Sequence, residues 1–366
     1  MKETISYRQS VFLASLILPV TGHMLLLVPM FDGAGRDSWI AILFTVPIGL
    51  FYGFILYRLH RLHPDQSLVQ ILSSAFGKII GKTLTSGWIA YLLFMLVTSF
   101  YALFDFIQIY FLPETPRWVL GVSFYIIVFY ALFLGVESIT RFCEPLLLLI
   151  FISGSSIGIA TLNRKDYDLL FPIFEQGFSQ LWQGMFLTIA LFGELSILLM
   201  IGLKKDYKKS RSFLFTNMVI IFLVTLMFLG TTTSSLAIFG VEFASNLTYP
   251  AQSIVRLVSF GFIERFDIYG IAVMVVGSIV RVSIFQWGLR KSVQQWMGLE
   301  KGNWVIYLLI TCFIFYGAMK LIDTHTNFML FFSRFYVWTA VISVGLPVLA
   351  WIVLEAKGWI HLKSGQ

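Results

Sequence analysis

Residues Val11–Met30 read VFLASLILPVTGHMLLLVPM, and this stretch decides the class of fold. None of its residues is Asp, Glu, Lys or Arg. About 20 apolar residues in an α-helix are needed to cross the hydrocarbon core of a bilayer, which is about 30 Å thick. Lys2 and Arg8 precede the stretch as in a signal peptide, but a cleavage site of small residues is lacking. We therefore predict a retained transmembrane helix.

Similar apolar runs recur along the whole chain. Of its 366 residues 58% are hydrophobic and 12% are charged, whereas soluble domains are about 45–50% apolar and about 25% charged. This composition excludes a soluble multidomain enzyme, a disordered tail protein and a disulfide scaffold. We predict an all-α integral membrane protein, a single membrane domain over residues 1–366 with about ten transmembrane helices. The predicted spans are Val11–Met30, Trp39–Tyr57, Leu84–Leu112, Val119–Gly135, Pro145–Leu162, Gly184–Leu203, Phe213–Phe239, Ile268–Leu289, Trp304–Met319 and Tyr336–Leu354.

The net charge of +7 is explained by the orientation of the chain in the lipid bilayer. With the N-terminus on the cytoplasmic side, 17 of the 26 Lys and Arg residues fall in inner loops and tails. Because positive charge is enriched on that side, we predict that both termini lie inside. We expect no nucleic-acid partner. The largest inner group is best interpreted as a topology anchor, with contact to anionic lipid or a partner as the alternative. It consists of Lys204, Lys205, Lys208, Lys209 and Arg211.

Two predicted helices contain residues that interrupt helical backbone. The first span holds Pro19-Val20-Thr21-Gly22-His23 near its middle, and the sixth holds Phe192-Gly193-Glu194. Interruptions in the first and sixth of ten spans are typical of a five-plus-five inverted repeat, in which half-helix ends bind an anionic group such as a carboxylate. We predict repeats at about residues 11–162 and 184–356, with an outer-face connector at about 240–267. A glycine kink without a ligand is the alternative.

Three ionisable residues fall inside predicted spans: Asp105, Glu194 and Arg281. A charge at the centre of a membrane helix costs about 2.5–3.5 kcal/mol on insertion scales, so each needs a partner or a function. Tyr101 lies four residues before Asp105, and we expect their shared helix face to line the bundle interior or a water-filled cavity. The alternative is a structural ion pair of Arg281 with either carboxylate. His23 is either a ligand or proton-carrying group or a structural hydrogen-bonding residue.

Other motifs indicate packing rather than chemistry. Gly49-x-x-x-Gly53 and Gly154-x-x-x-Gly158 are typical of closely packed membrane helices. Cys143 and Cys312 lie in or beside apolar runs without metal-ligand neighbours. The chain contains no nucleophile elbow, phosphate loop or His-Glu-x-x-His pattern. We therefore expect that the protein is not an enzyme and that it carries no cofactor and no metal ion.

The most specific pattern in the chain precedes the eighth span. Residues 250–256 read PAQSIVR and residues 261–267 read GFIERFD, while residues 171–177 before the sixth span read FPIFEQG. Pro250 also predicts the start of a short amphipathic helix on the outer face. Together with the length, the ten spans and the short tails, these stretches resemble the spore germination permease family, the B subunits of endospore germinant receptors.

The resemblance implies a fold of the amino acid/polyamine/organocation transporter type, with the first and sixth helices unwound at a central site. It also implies a subunit that senses a small nutrient, an amino acid, sugar or nucleoside, in the spore inner membrane. Signalling would pass to partner A and C subunits. Glu264 and Arg265 of the pattern are expected to be structural.

We expect the nutrient to bind between the first, third, sixth and eighth helices. A proton- or sodium-coupled amino-acid permease, in which Asp105 or Glu194 relays the ion, is the second hypothesis. An ion-conducting or structural subunit without a ligand of its own is the third. The expected ligand contacts are Thr21, Gly22, His23, Tyr101, Asp105, Gly193 and Glu194, with Arg281 as the intramembrane charge partner.

Overall fold

The computed structural model describes residues 4–175, 177–203, 211–258, 267–299, 304–320 and 324–364. This described part of the chain is 88% helical, and its sheet consists of two strands of two residues each. The prediction of an all-α membrane protein is confirmed. The lysines of the predicted basic cluster, and Glu264 with Arg265, lie outside the described residues.

The helices follow one another with short connections. Strands β1 (Thr4–Ile5) and β2 (Gly202–Leu203) pair in parallel. In chain order the α-helices are α1 (Tyr7–Thr21), α2 (Leu27–Ala34), α3 (Ser38–Leu62), α4 (Leu68–Phe76), α5 (Lys78–Tyr110), α6 (Arg117–Leu134), α7 (Val136–Ala160), α8 (Phe178–Gly193), α9 (Arg211–Ser245), α10 (Pro250–Arg256), α11 (Asp267–Met297), α12 (Trp304–Lys320), α13 (His325–Ser343) and α14 (Gly345–Ser364).

Eight segments of the described residues are long and apolar enough to cross a membrane. The first, Tyr7–Leu62, has 56 residues, which is enough for two crossings, and α12 is a shorter apolar helix of 17 residues. The predicted number of ten spans is compatible with these lengths and stays a prediction. The predicted short helix at Pro250 is confirmed as α10, with the proline in its first turn, where a missing N–H costs nothing.

Both predicted interruptions are changes of helical type. Between α1 and α2 the backbone forms a π-helix over Gly22–Leu26, and after α8 it forms a 3₁₀-helix over Glu194–Met200. The unwinding that the family resemblance implied is absent from these two segments, which keep helical backbone. A π-helical turn inside an α-helix is uncommon and is found often at functional sites.

The bundle is held by contacts between helices distant in sequence. Helix α3 packs against α8 and α9, α5 packs against α11, and α1 contacts α7, α9 and α11. The pairs α3 with α9 and α5 with α11 join the second predicted span to the seventh and the third to the eighth. These are equivalent helices of the predicted inverted repeat, which stays a prediction.

Polar contacts between the loops sort them to two ends of the bundle. At one end β1 pairs with β2, so the chain before the first span lies beside the chain after the sixth. At the other end the backbone N–H of Phe174 donates to both carboxylate oxygens of Asp37 at 3.0 Å. This arrangement agrees with the predicted topology, in which those two pairs lie on opposite sides of the membrane. Which end is cytoplasmic stays a prediction.

Glycines allow several of these helices to approach closely. A Cβ atom at Gly49 would lie 2.7 Å from the Phe192 ring, so the predicted packing role of Gly49 is confirmed. The packing predicted for Gly154 and Gly158 is wrong, because a Cβ atom at either position would meet nothing within 4 Å. The open space beside these two glycines is part of a cavity.

Gly184 on α8 offers a direct test of this packing. Its Cβ atom would lie 2.9 Å from the Cβ atoms of both Ala34 and Ala41, which have no flexible side chain to move aside. We expect Gly184→Ala to lower the free energy of unfolding by about 1–3 kcal/mol through overpacking. Thermal unfolding of the purified protein measures this. The control Gly87→Ala, which meets open space, should be neutral or stabilising by up to about 1 kcal/mol; equal loss in both variants would contradict the packing.

Candidate functional site

Glu194 lies where the sixth span changes from α-helix to 3₁₀-helix, and its side chain is 0% exposed. Arg281 of α11 donates to its Oε2 atom at 2.5 Å through Nη1 and to its Oε1 atom at 3.2 Å through Nη2. The Tyr336 hydroxyl donates to Oε1 at 2.9 Å, and the Thr21 hydroxyl donates to Oε2 at 3.2 Å. Four donors thus compensate the buried carboxylate.

Arg281 is also satisfied from several helices. Its Nε atom donates to the Ser99 hydroxyl of α5 at 2.9 Å, and its Nη1 atom donates to the Ile17 carbonyl of α1 at 3.3 Å. The guanidinium carbon lies 4.5 Å from the centre of the Phe285 ring. We refer to Thr21, Ser99, Glu194, Arg281 and Tyr336 as the central cluster. It joins α1, α5, α11, α13 and the sixth span at mid-bundle, and the carboxylate that pairs with Arg281 is Glu194.

Two glycines next to the central cluster have no room for a side chain. A Cβ atom at Gly193 would lie 2.2 Å from the Ser343 hydroxyl, and one at Gly22 would lie 2.9 Å from the Phe228 ring. Gly22 is the first residue of the π-helix, directly after Thr21. The residues that flank Thr21 and Glu194 are therefore fixed by close packing against other helices.

Asp105 belongs to a different group of residues. Its Oδ2 atom accepts from the Tyr249 hydroxyl at 2.9 Å and lies 2.8 Å from Nδ1 of His325, while Arg117 lies 3.7 Å from Oδ1. The Tyr101 ring packs against the guanidinium group of Arg117 at 5.6 Å. We refer to Tyr101, Asp105, Arg117, Tyr249 and His325 as the terminal cluster. It closes the end of the bundle that also carries α10.

Tyr249 connects α9 to α10 and is buried. Burial, and to a smaller extent the Asp105 carboxylate, raise the pKa of its hydroxyl well above the usual value. The hydroxyl therefore keeps its proton at neutral pH and donates it to Asp105. This bond ties the start of α10 to α5.

His23 faces away from Glu194. Its Nε2 atom lies 3.3 Å from the Met227 carbonyl and 3.1 Å from the Thr231 hydroxyl, both on α9. The imidazole lines a cavity of about 390 Å³ between α7, α9, α10 and α11. Although Thr21 and His23 are only two residues apart, Thr21 therefore lies in the central cluster and His23 lies at the cavity.

The predicted ligand contacts are therefore divided among three places. Thr21 and Glu194 meet in the central cluster with Arg281, Tyr101 and Asp105 lie in the terminal cluster, and His23 lines the cavity. Five cluster residues were missed by the sequence reasoning. They are Ser99, Arg117, Tyr249, His325 and Tyr336.

A hydroxyl group, or a charged side chain at the first residue of a helix such as Arg117 or His325, gives little signal in a sequence when its partner is not known. Of the missed residues, Tyr249 could have been predicted most easily, since it directly precedes the helix start at Pro250. Among residues of the described ranges, no three His, Cys, Asp or Glu side chains are close enough to hold a metal ion.

Comparison with known proteins identifies relatives over most of the chain. A family described as Spore germination protein matches residues 4–329. Spore germination protein XB of Bacillus anthracis is 30% identical over 92% of both chains. GerQB of Bacillus cereus is 24% identical over 88% of both chains, and protein KB of Bacillus subtilis is 23% identical over 78% of this chain and 76% of its own.

The buried ion pair of the central cluster predicts strong coupling between its two residues. Glu194→Gln and Arg281→Met should each lower the free energy of unfolding by about 3–5 kcal/mol, because each leaves a buried partner unpaired. The double variant should lose less unfolding free energy than the two single variants lose together. Thermal unfolding of the three purified variants gives this difference, which is the coupling energy.

The partly exposed pair Arg58–Glu355 provides a control for this measurement. Arg58→Met removes an ion pair with the same substitution, but solvent screens it, so we expect a loss of at most about 1 kcal/mol. If Arg58→Met and Arg281→Met lowered the free energy of unfolding equally, burial of the central cluster would add nothing to the stability of its ion pair.

Proposed function

The chain belongs to the spore germination permease family, and on this premise we propose that it is the nutrient-sensing membrane subunit of a spore germinant receptor. It is an integral membrane protein of a family that is not a class of enzymes. In the proposal a small nutrient binds beside the interrupted first span and shifts the helix bundle between two arrangements. Differential affinity for those arrangements is the only way in which a ligand can produce such a shift.

The central cluster is the observation that carries this proposal. Hydrogen bonds join Thr21 and Ser99 of the first half of the chain to the buried ion pair of the second half, beside the two points where the first and sixth spans change helical type. A small rearrangement at either point must break or move charged hydrogen bonds, so intermediate positions are disfavoured. Such an element is suited to switching between discrete states rather than to gradual deformation.

The predicted contact residues take separate parts in the proposed mechanism. His23 contacts the nutrient, and the π-helical turn carries the change through Gly22 and Thr21 to Glu194 beside Gly193. Tyr101 and Asp105 hold the terminal cluster closed over α10. The ligand site and these assignments are proposals from the geometry.

We propose the spore inner membrane as the location, with both termini on the core side. The partner A and C subunits of the receptor would read the change in the bundle. Support for this comes from the names of the relatives, which are germination proteins of the B type, XB, GerQB and KB.

Germination of a receptor-null strain complemented with this chain and its partner subunits tests the proposal. Gly22→Ala and Glu194→Ala should each shift the nutrient dose response by on the order of tenfold or more, because both disturb the junction of the first and sixth spans. The measurement is the fall in optical density of spores exposed to amino acids, sugars or nucleosides. Immunoblots show whether each variant remains in the membrane.

The control variant is Gly87→Ala, which should leave the dose response unchanged because it meets open space. Unaltered responses in both test variants at equal protein levels would refute the proposed site. Ion-driven uptake of an amino acid by the chain alone in proteoliposomes, abolished by Glu194→Gln, would instead indicate a permease.

A further inference from the structure

The cavity beside His23 has the size of a binding site for a small molecule. Its volume of about 390 Å³ falls within the range of such sites, about 300–1,000 Å³. It lies between α7, α9, α10 and α11, with the π-helical turn of the first span at one wall. We call it the lateral cavity. Residues that define its walls are His23, Ser153, Gly158, Thr231, Gln252 and Met274.

Two glycines keep the lateral cavity open along α7. Gly154 and Gly158 both line it, and a Cβ atom at either would meet no heavy atom within 4 Å. A side chain at these positions would project into unfilled space. The missing side chains therefore create the volume, whereas Gly49 and Gly184 serve to pack helices together.

One buried amide at the cavity lacks a partner. Gln252 of α10 is 3% exposed, and its Nε2 atom has no hydrogen bond to any residue in the described part of the chain. A buried donor without a partner costs about 1–3 kcal/mol. An occupant with a hydrogen-bond acceptor would satisfy Gln252, whereas the hydrocarbon tail of a lipid would not.

His23, which lines the same cavity, supplies an acceptor. Since Nε2 faces the Met227 carbonyl, which can only accept, the proton of the neutral ring is placed on Nε2. Nδ1 then carries a lone pair, and it makes no hydrogen bond to the described residues. A ligand N–H or O–H group can donate to it.

The hydroxyl groups of the cavity are also acceptors. Thr231, Thr233 and Ser153 donate their protons to carbonyls of their own helices at 2.8–3.1 Å. Each oxygen keeps lone pairs that can accept from a ligand. The cavity therefore favours a molecule with several hydroxyl donors.

The charges of the lining narrow the class of ligand. None of the described lining residues is Asp or Glu, so the ammonium group of an amino acid would be buried without a counter-charge. Lys165 lines the cavity and donates to the Gly158 carbonyl at 3.3 Å. Apolar side chains, including Ile150, Phe151 and Val255, form other parts of the wall and favour a ligand with a larger flat apolar surface than a sugar, which carries hydroxyl groups around its whole ring.

We propose that the lateral cavity binds an uncharged nucleoside. The base lies against the apolar side chains and exchanges hydrogen bonds with Gln252 and His23, while the ribose hydroxyls donate to the serine and threonine oxygens. The ligand's action as a germinant rests on the proposed function; its binding in the cavity does not.

Binding of radiolabelled inosine to the purified full-length chain tests the inference. Inosine is suitable because its base has adjacent C=O and N–H groups and no charge. We expect saturable binding and a raised thermal unfolding midpoint, with no response to L-alanine or D-glucose. Gln252→Leu should weaken binding by about tenfold, because it keeps the bulk and removes the amide.

Gly158→Leu should abolish binding by filling the cavity. The matched control is Gly87→Leu, which adds the same side chain to open space on α5 away from the cavity and should bind inosine normally. The inference is overturned if L-alanine binds in place of inosine, if no nucleoside binds at millimolar concentration, or if Gly158→Leu binds inosine as the unaltered chain does.

Germination assays on spores of the complemented strain distinguish failure of this inference from failure of the proposed function. If the purified chain binds inosine but complemented spores ignore every nutrient, the cavity assignment stands and the proposed function fails. If spores respond to amino acids while the chain binds no nucleoside, the proposed function stands and the cavity assignment fails.

Discussion

The ion pair between Glu194 and Arg281 is the constraint on which the rest of the bundle depends. Two charges buried at mid-bundle are costly, so every remaining polar atom of the pair must find a partner. The partners come from α1, α5 and α13, which fixes the positions of these helices relative to the sixth span and α11. The helical-type changes at Gly22 and Glu194 lie at the same place, where the backbone must adjust so that side chains from separate helices meet.

An aromatic row on α13 runs from this pair toward the terminal cluster. Tyr336 stacks on Phe332 at 4.7 Å, Phe332 contacts Phe328 at 6.0 Å, and Phe328 packs on Tyr101 at 4.5 Å. Spacings of four residues place the first three rings on one helix face. Direct ring contacts therefore connect the central cluster to the terminal cluster.

The class of fold was predictable because bilayer thickness sets helix length directly. The three embedded ionisable residues and the interruptions at Gly22 and Gly193 were also recognised, since charge and helix-breaking residues are rare in such runs. The partners were not predictable, because Asp105 and Glu194 are equivalent from the sequence. In the fold Arg281 lies level with Ser99 of α5, about 9 Å along the helix from Asp105, and it therefore pairs with Glu194. Gly154 and Gly158 show the same limit, because a small-residue motif cannot distinguish a tight helix contact from a cavity wall.

In our proposal, the short distance along the chain from His23 to Thr21 links a ligand site to the enclosed ion pair. Thr21, Glu194 and Arg281 are almost completely buried in this arrangement of the helices, whereas His23 lines the cavity. His23 follows Thr21 by two residues and lies in a short π-helical turn, a form that is found often at functional sites. In the proposed mechanism a ligand that pulls on His23 moves the backbone that carries Thr21, and the bond from Thr21 to Glu194 passes this displacement to the buried ion pair.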